Sequence, residues 1–190
     1  MRPSAVRLFE IRNMKQSSSW LHAAAVYTDP RAVVLFFLGF SAGVPIMLIF
    51  SSLSLWLSEA GVSRDMVTMF SWAALAYSFK FVWAPLIDSL PLPVLGKLGW
   101  RRSWLLLSQA AVASAIVWMA MVDPAQPGAL AMMAAAAVLL GFSSATQDVV
   151  IDAYRIEAAG DDTAMQSVTS ATYNAGYRVG MIVSGAGALY

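Results

Sequence analysis

The stretch SSATQDVVIDAYR places Asp148, Asp152 and Arg155 four and then three residues apart, directly after a long run of alanine, leucine and methionine. At 3.6 residues per turn all three project from one face of a helix, stacked over about two turns. Carboxylates held close together in a low dielectric compete for a proton, so one of them can carry it at ordinary pH. Arg155 favours the charged form of its nearer neighbour, Asp152. On this reading Asp148 and Asp152 are the proton-coupling pair: the deeper Asp148 is the carrier, and Asp152–Arg155 is an ion pair near a membrane surface. The alternative is an inert charge network at a helix end.

Two basic groups lie deep in other apolar runs. Arg178 offers a planar guanidinium that can hold a carboxylate through two parallel hydrogen bonds. Asn174 shares its helix face and presents a neutral donor and acceptor, while Tyr177 is offset by about 100°. Lys80 is the second cation. Together Arg178, Lys80, Asn174 and Tyr177 are the expected solute-binding set. Two other readings stand beside it: Lys80 snorkels to a membrane surface, and Arg178 pairs internally with Asp148.

The rest of the inventory is sparse. His22 is the single histidine, there is no cysteine, and no phosphate loop or nucleophile motif occurs. No metal or cofactor is expected, and the carboxylates lack the partners an enzyme would need. The net charge is +1, which argues against a nucleic-acid partner.

These residues need elements to position them, and composition says which. Of 190 residues 59% are hydrophobic and only 12% charged, with mean hydropathy +0.65. A soluble domain of this length carries about twice that charged fraction. The class is therefore all-α integral membrane protein, with spans over residues 31–57, 66–87, 103–122, 129–155 and 163–190. Each approaches the roughly 20 apolar residues that cross a hydrocarbon core. Residues 1–29 form a cytoplasmic N-terminal segment, in which Met14 competes with Met1 as the start. Residues 30–190 form the membrane domain. Asp29-Pro30 supplies a cap and a first-turn proline for the first span, and DPAQPG a tight turn between the third and fourth. The stripes Gly39-x-x-x-Gly43 and Gly176-x-x-x-Gly180 let helices approach closely, and Pro45 kinks the first span.

Taken on alternate sides, nine lysines and arginines share the face of the N-terminus, against Arg64 alone on the other. The excess of positive charge on cytoplasmic loops places the N-terminus inside. Asp88, Arg101, Arg102 and Arg155 then gather at the inner surface, where a charge cluster can bias a switch between conformations. They are the expected gate.

Three stretches carry a likeness. FKFVWAPLID followed by GWRRSWLL resembles the second helix, inner loop and third helix of a major facilitator transporter, with Asp88 and Arg101-Arg102 in the loop's acidic and basic roles. Pro85 stands where that superfamily usually has glycine, and SLPLPVLGKL lengthens the loop. With SSATQDVVIDAYRIE and YNAGYRVGMIVSGAGAL, these departures resemble the AmpG-like muropeptide permeases, whose wider group includes acetyl-coenzyme A transporters. The resemblance covers residues 30–190. It implies proton-coupled uptake of anhydro-muropeptides across a bacterial inner membrane for cell-wall recycling, with a small-molecule solute, protons and the lipid bilayer as partners. It also implies a protein of two six-helix halves, of which these five spans are most of the first; a missing C-terminal half is expected. A non-transporting scaffold or sensor, or a carrier of another anion such as acetyl-coenzyme A, is the alternative.

Overall fold

The computed structural model describes residues 24–70, 72, 75–92 and 99–187. The expected N-terminal segment therefore lies largely outside the described residues.

The first helix, α1 (Pro30–Met47), starts as the sequence reading requires. Asp29 caps it by accepting from the Arg31 backbone N–H at 2.8 Å, with Pro30 in the first turn. Pro45 lies inside this helix, where it has no N–H to donate. Three residues later the coil widens into a π-helical turn, Leu48–Ser52, before resuming as α2 (Leu53–Glu59). The whole run Pro30–Glu59 is long and apolar enough to cross a membrane.

The region expected as one helix over 66–87 is segmented. It comprises α3 (Arg64–Phe70), α4 (Leu75–Phe79), a 3-10 turn at Lys80–Val82, and α5 (Ala84–Ser89). Pro85 in the first turn of α5 cannot donate to the carbonyl four residues back and crowds it. The chain relieves this by tightening into the 3-10 turn, with Phe79 and Trp83 at φ near −100° on either side. Lys80 thus sits on a break in the helix.

Three long helices follow: α6 (Trp100–Ala120), α7 (Ala129–Ala159) and α8 (Thr163–Gly187). Gly128 and Gly160 bound α7 with φ of 81° and 57°, a conformation that glycine adopts without steric cost. At 1.5 Å per residue α7 is about 46 Å long, so its ends reach beyond a hydrocarbon core of about 30 Å. With Pro30–Glu59, α6 and α7 are the candidate membrane-spanning helices by length and composition. Helix α8, with 25 residues, is longer than α6 and shorter than α7, but Gln166, Ser170, Asn174 and Arg178 make one of its faces polar. Among the described residues there is no strand.

The closest helix pair is α1 with α8. A Cβ on Gly39 or Gly43 would run into the backbone carbonyls of Tyr173 or Tyr177, and one on Gly176 or Gly180 into those of Phe36 or Phe40. The two Gly-x-x-x-Gly stripes are thus reciprocal, and they bring backbone against backbone.

Helix α7 is central, packing on α1, α4, α6 and α8. Its neighbours form two apolar clusters. One gathers Ile49, Leu53, Leu57, Val112, Met133 and Leu140; the other gathers Leu35, Ala42, Ile87, Leu105, Val150 and Ile151. Along α7 the residues between these clusters include Ser143, Ser144, Thr146, Gln147 and Asp148, a polar layer inside an apolar bundle.

Candidate functional site

Polar groups inside a membrane bundle are costly unless paired. Several here are paired across helices, while the Tyr77 hydroxyl, Ser144 Oγ and Gln147 Oε1 are buried without a hydrogen-bond partner among the described residues. Gln147 is fully buried and donates from Nε2 to the Ser41 Oγ of α1 at 2.9 Å. Trp83 donates from Nε1 to Thr146 Oγ1 at 3.2 Å, and its ring packs against that of Phe142 at 4.8 Å, tilted by 36°. The Tyr77 hydroxyl on α4 faces Ser144.

The charges lie next to this layer. Lys80 ion-pairs with Asp148 Oδ2 and reaches Asp152 Oδ2 at 3.5 Å. The other oxygen of Asp148 accepts from the Tyr173 hydroxyl on α8 at 2.7 Å. Asp152 is shared: Arg155 approaches its Oδ1 at 3.3 Å. The Arg155 guanidinium also lies 5.6 Å from the centre of the Tyr173 ring, within cation–π range. The Tyr177 ring stands 6.1 Å from that of Tyr173 and extends the aromatic wall. Two carboxylates and two cations therefore balance, with side-chain exposure rising from 17% at Asp148 to 39% at Asp152. Asp148 is the most enclosed charge of the four.

One expected pairing is replaced by another. The alternative in which Arg178 holds Asp148 is not formed; Asp148 is taken by Lys80 and Tyr173. Arg178 is exposed on α8, with no ion pair among the described residues. Asn174 is exposed as well, and its Nδ2 donates to the Ser170 carbonyl one turn back at 2.9 Å.

The surroundings of Arg178 are nonetheless informative. Away from the glycine face, α8 divides into two strips, one polar with Ser170 and Tyr177 half-buried and one apolar and exposed. Gln166, Ser170, Asn174, Tyr177 and Arg178 lie within roughly 120° of one another on the wheel, adjoining Tyr173. Ala171, Ala175, Val179 and Ile182 form the next strip. An apolar strip suits lipid, whereas a polar one suits water or protein.

A second charge cluster stands at the end of the bundle where α5, α6 and α7 meet. Arg101 donates from Nη1 to Asp88 Oδ1 at 2.5 Å and from Nε to Glu157 Oε1 at 2.9 Å. Trp100 and Trp104 donate their indole N–H groups to the carbonyls of Ile87 and Leu90, each at 2.9 Å, tying the end of α5 to the start of α6. Arg102 is exposed beside them. At the same end Arg31 donates to the Ala158 carbonyl at 3.1 Å, a cation on the last turn of α7.

Two participants escaped the sequence reading. Tyr173 has the same spacing from Tyr177 as Asp148 has from Asp152, and that parallel is the one signal that would have found it. Glu157 is a second carboxylate on Arg101, beside Asp88. Nine residues past Asp148, it falls on the opposite face of α7, toward α6.

With this geometry in view, comparisons with known proteins agree on one family. A family model described as "Acetyl-coenzyme A transporter 1" matches residues 31–189. "Putative transporter AmpG 4" of Rickettsia conorii is 40% identical over 165 residues, covering 87% of this chain and 39% of the relative. "Anhydromuropeptide permease" of Escherichia coli is 36% identical over 165 residues, covering 87% of this chain and 32% of that protein. "Putative transporter AmpG 3" of Rickettsia prowazekii is 37% identical over 166 residues, covering 87% and 39%. The chain spans about a third to two fifths of the length of these relatives. Their names are those of transporters and permeases and not of enzymes, in accord with the apolar helices of a multi-pass membrane protein. The chain belongs to the acetyl-coenzyme A transporter 1 family, and its relatives include proteins named as AmpG transporters and as an anhydromuropeptide permease.

Proposed function

We propose that this chain forms five membrane spans of the N-terminal half of a major facilitator transporter that carries anhydro-muropeptides into the bacterial cell with protons. Residues 64–89 and α8 supply the two spans beyond the three long apolar ones. The N-terminus lies in the cytoplasm, in keeping with nine basic residues on its side of the bundle. Asp148 carries the proton and Asp152 tunes it. Lys80, Arg178, Asn174 and Tyr177 hold the solute, with the polar strip of α8 lining its path. Asp88, Arg101, Arg102 and Arg155 form the inner gate.

The observation that carries this reading is the partly buried Lys80–Asp148–Tyr173 contact beside the polar layer of α7. Ionisable groups at such a depth mark ion or substrate pathways in membrane proteins. The name of the Escherichia coli relative supports the cargo. A second reading, acetyl-coenzyme A as cargo, rests on the description of the family model. Both solutes bring anionic groups that suit Lys80 and Arg178.

Uptake into membrane vesicles from cells that express the natural gene separates the readings. Labelled anhydro-muropeptide should accumulate under an inward proton gradient and be displaced by its unlabelled form but not by acetyl-coenzyme A. Accumulation of labelled acetyl-coenzyme A and not of the muropeptide would favour the second cargo, and no accumulation of either would favour a scaffold or sensor.

A further inference from the structure

The charge balance of the central cluster has a consequence for the order of events at the binding site. Lys80 is the cation expected to receive an anionic group of the solute, yet its ammonium is already engaged by Asp148 and lies 3.5 Å from Asp152. Asp152 has a second partner in Arg155 at 3.3 Å, so it stays compensated without Lys80. Among the described residues Asp148 has none of the kind. Beyond Lys80 it is held by one neutral donor, the Tyr173 hydroxyl at 2.7 Å.

The groups facing Asp148 from each neighbouring element are few. Helix α4 and its 3-10 turn present Tyr77 and Lys80, and α8 presents Tyr173 and Tyr177. Helix α7 itself adds Asp152 and Arg155. Among the described residues, α1 brings the neutral Ser41 to the adjoining layer, while Arg31 is at the far end on Ala158. On α6 the nearest charge, Arg101, is committed to Asp88 and Glu157. Tyrosines stay protonated and arginines charged across ordinary pH. The aspartates and Lys80 are thus the groups whose charge state or pairing can change.

We propose that Asp148 is a tethered competitor for Lys80, so that a proton must neutralise Asp148 before the solute's anionic group can take its place. This rests on the transport reading above and deepens it. The step balances: the proton adds to a carboxylate oxygen of Asp148, the ammonium keeps its three protons, and it exchanges one carboxylate partner for the carboxylate or phosphate of the solute. The cluster is neutral before and after, so one proton enters with the one anionic charge that Lys80 receives. The Tyr173 hydroxyl stays bonded to Asp148 throughout. Proton and solute are then linked reciprocally, each strengthening the binding of the other.

Equilibrium binding to the purified protein, with no gradient, tests the linkage. Labelled anhydro-muropeptide and acetyl-coenzyme A are each titrated across the physiological pH range. Affinity for the cargo should fall about tenfold per pH unit on the alkaline side, the slope of one linked proton. Asp148→Asn, which keeps the shape and removes the competing charge, should bind tightly at every pH. A flat wild-type profile, or an Asp148→Asn protein with the wild-type slope, would overturn the proposal. If neither solute binds at any pH, the cargo assigned above is wrong, and a cargo-free arm still decides the linkage. Infrared difference spectra on acidification should show a protonated carboxyl band that Asp148→Asn lacks and whose pH midpoint moves in Lys80→Gln. An unmoved midpoint in Lys80→Gln would contradict the competition whichever solute is carried.

Discussion

Lys80 and Asp148 are ion-paired across a chain separation of 68 residues, joining a break in one helix to the polar layer of the central one. Breaking a fully buried pair by removing one partner costs about 3–5 kcal/mol. With the Lys80 side chain 32% exposed, Lys80→Ala should cost roughly 1–3 kcal/mol. Lys80→Ala combined with Asp148→Ala should recover part of that loss. Thermal unfolding of the three variants in detergent checks this, and additive losses would mean that the pair contributes nothing.

How far this site was legible in the sequence differs from residue to residue. The spacing of Asp148, Asp152 and Arg155 announces a shared face, because helical periodicity is local, and the Asp152–Arg155 pair follows from it. The partner of Asp148 was not legible: depth along a span gives a residue's height in the bundle but not its azimuth. The sequence reading therefore weighs Arg178, and not Lys80, as that partner, and the packing of glycines 176 and 180 against α1 is what turns Arg178 outward. Pro85 was visible in the sequence as a departure from the superfamily pattern. Its effect, the 3-10 turn that interrupts the helix expected over 66–87 at Lys80, depends on how one carbonyl escapes a ring.

The α1–α8 contact makes a sharp steric prediction. Gly39→Leu or Gly176→Leu sets a side chain against a facing carbonyl, and either should abolish the monodisperse peak in size-exclusion chromatography. Gly187→Ala, at a site open within 4 Å, should leave it unchanged. Normal behaviour of Gly176→Leu would refute the close approach.

At the other cluster, Arg101 links Asp88 to Glu157. Exposed pairs contribute about 0–1 kcal/mol each, so Asp88→Asn and Glu157→Gln should leave protein abundance within about a factor of two. If the cluster gates, both variants should change the uptake rate by far more than that. A fall in abundance with an unchanged rate per molecule would assign the cluster to anchoring alone.

Topology is open to labelling. Cysteines placed at Ser63 and Ser89, both exposed, should react with an impermeant reagent from opposite sides of the membrane, Ser89 from the cytoplasmic side. Reaction of both from one side would overturn the proposed orientation.

The central claim is that Asp148 couples the proton to the solute through Lys80. Vesicles containing Asp148→Asn, compared with wild type for gradient-driven accumulation and for solute exchange without a gradient, test it most directly. Accumulation should be lost while exchange persists at a rate near that of wild type. Accumulation that survives in Asp148→Asn would contradict the account.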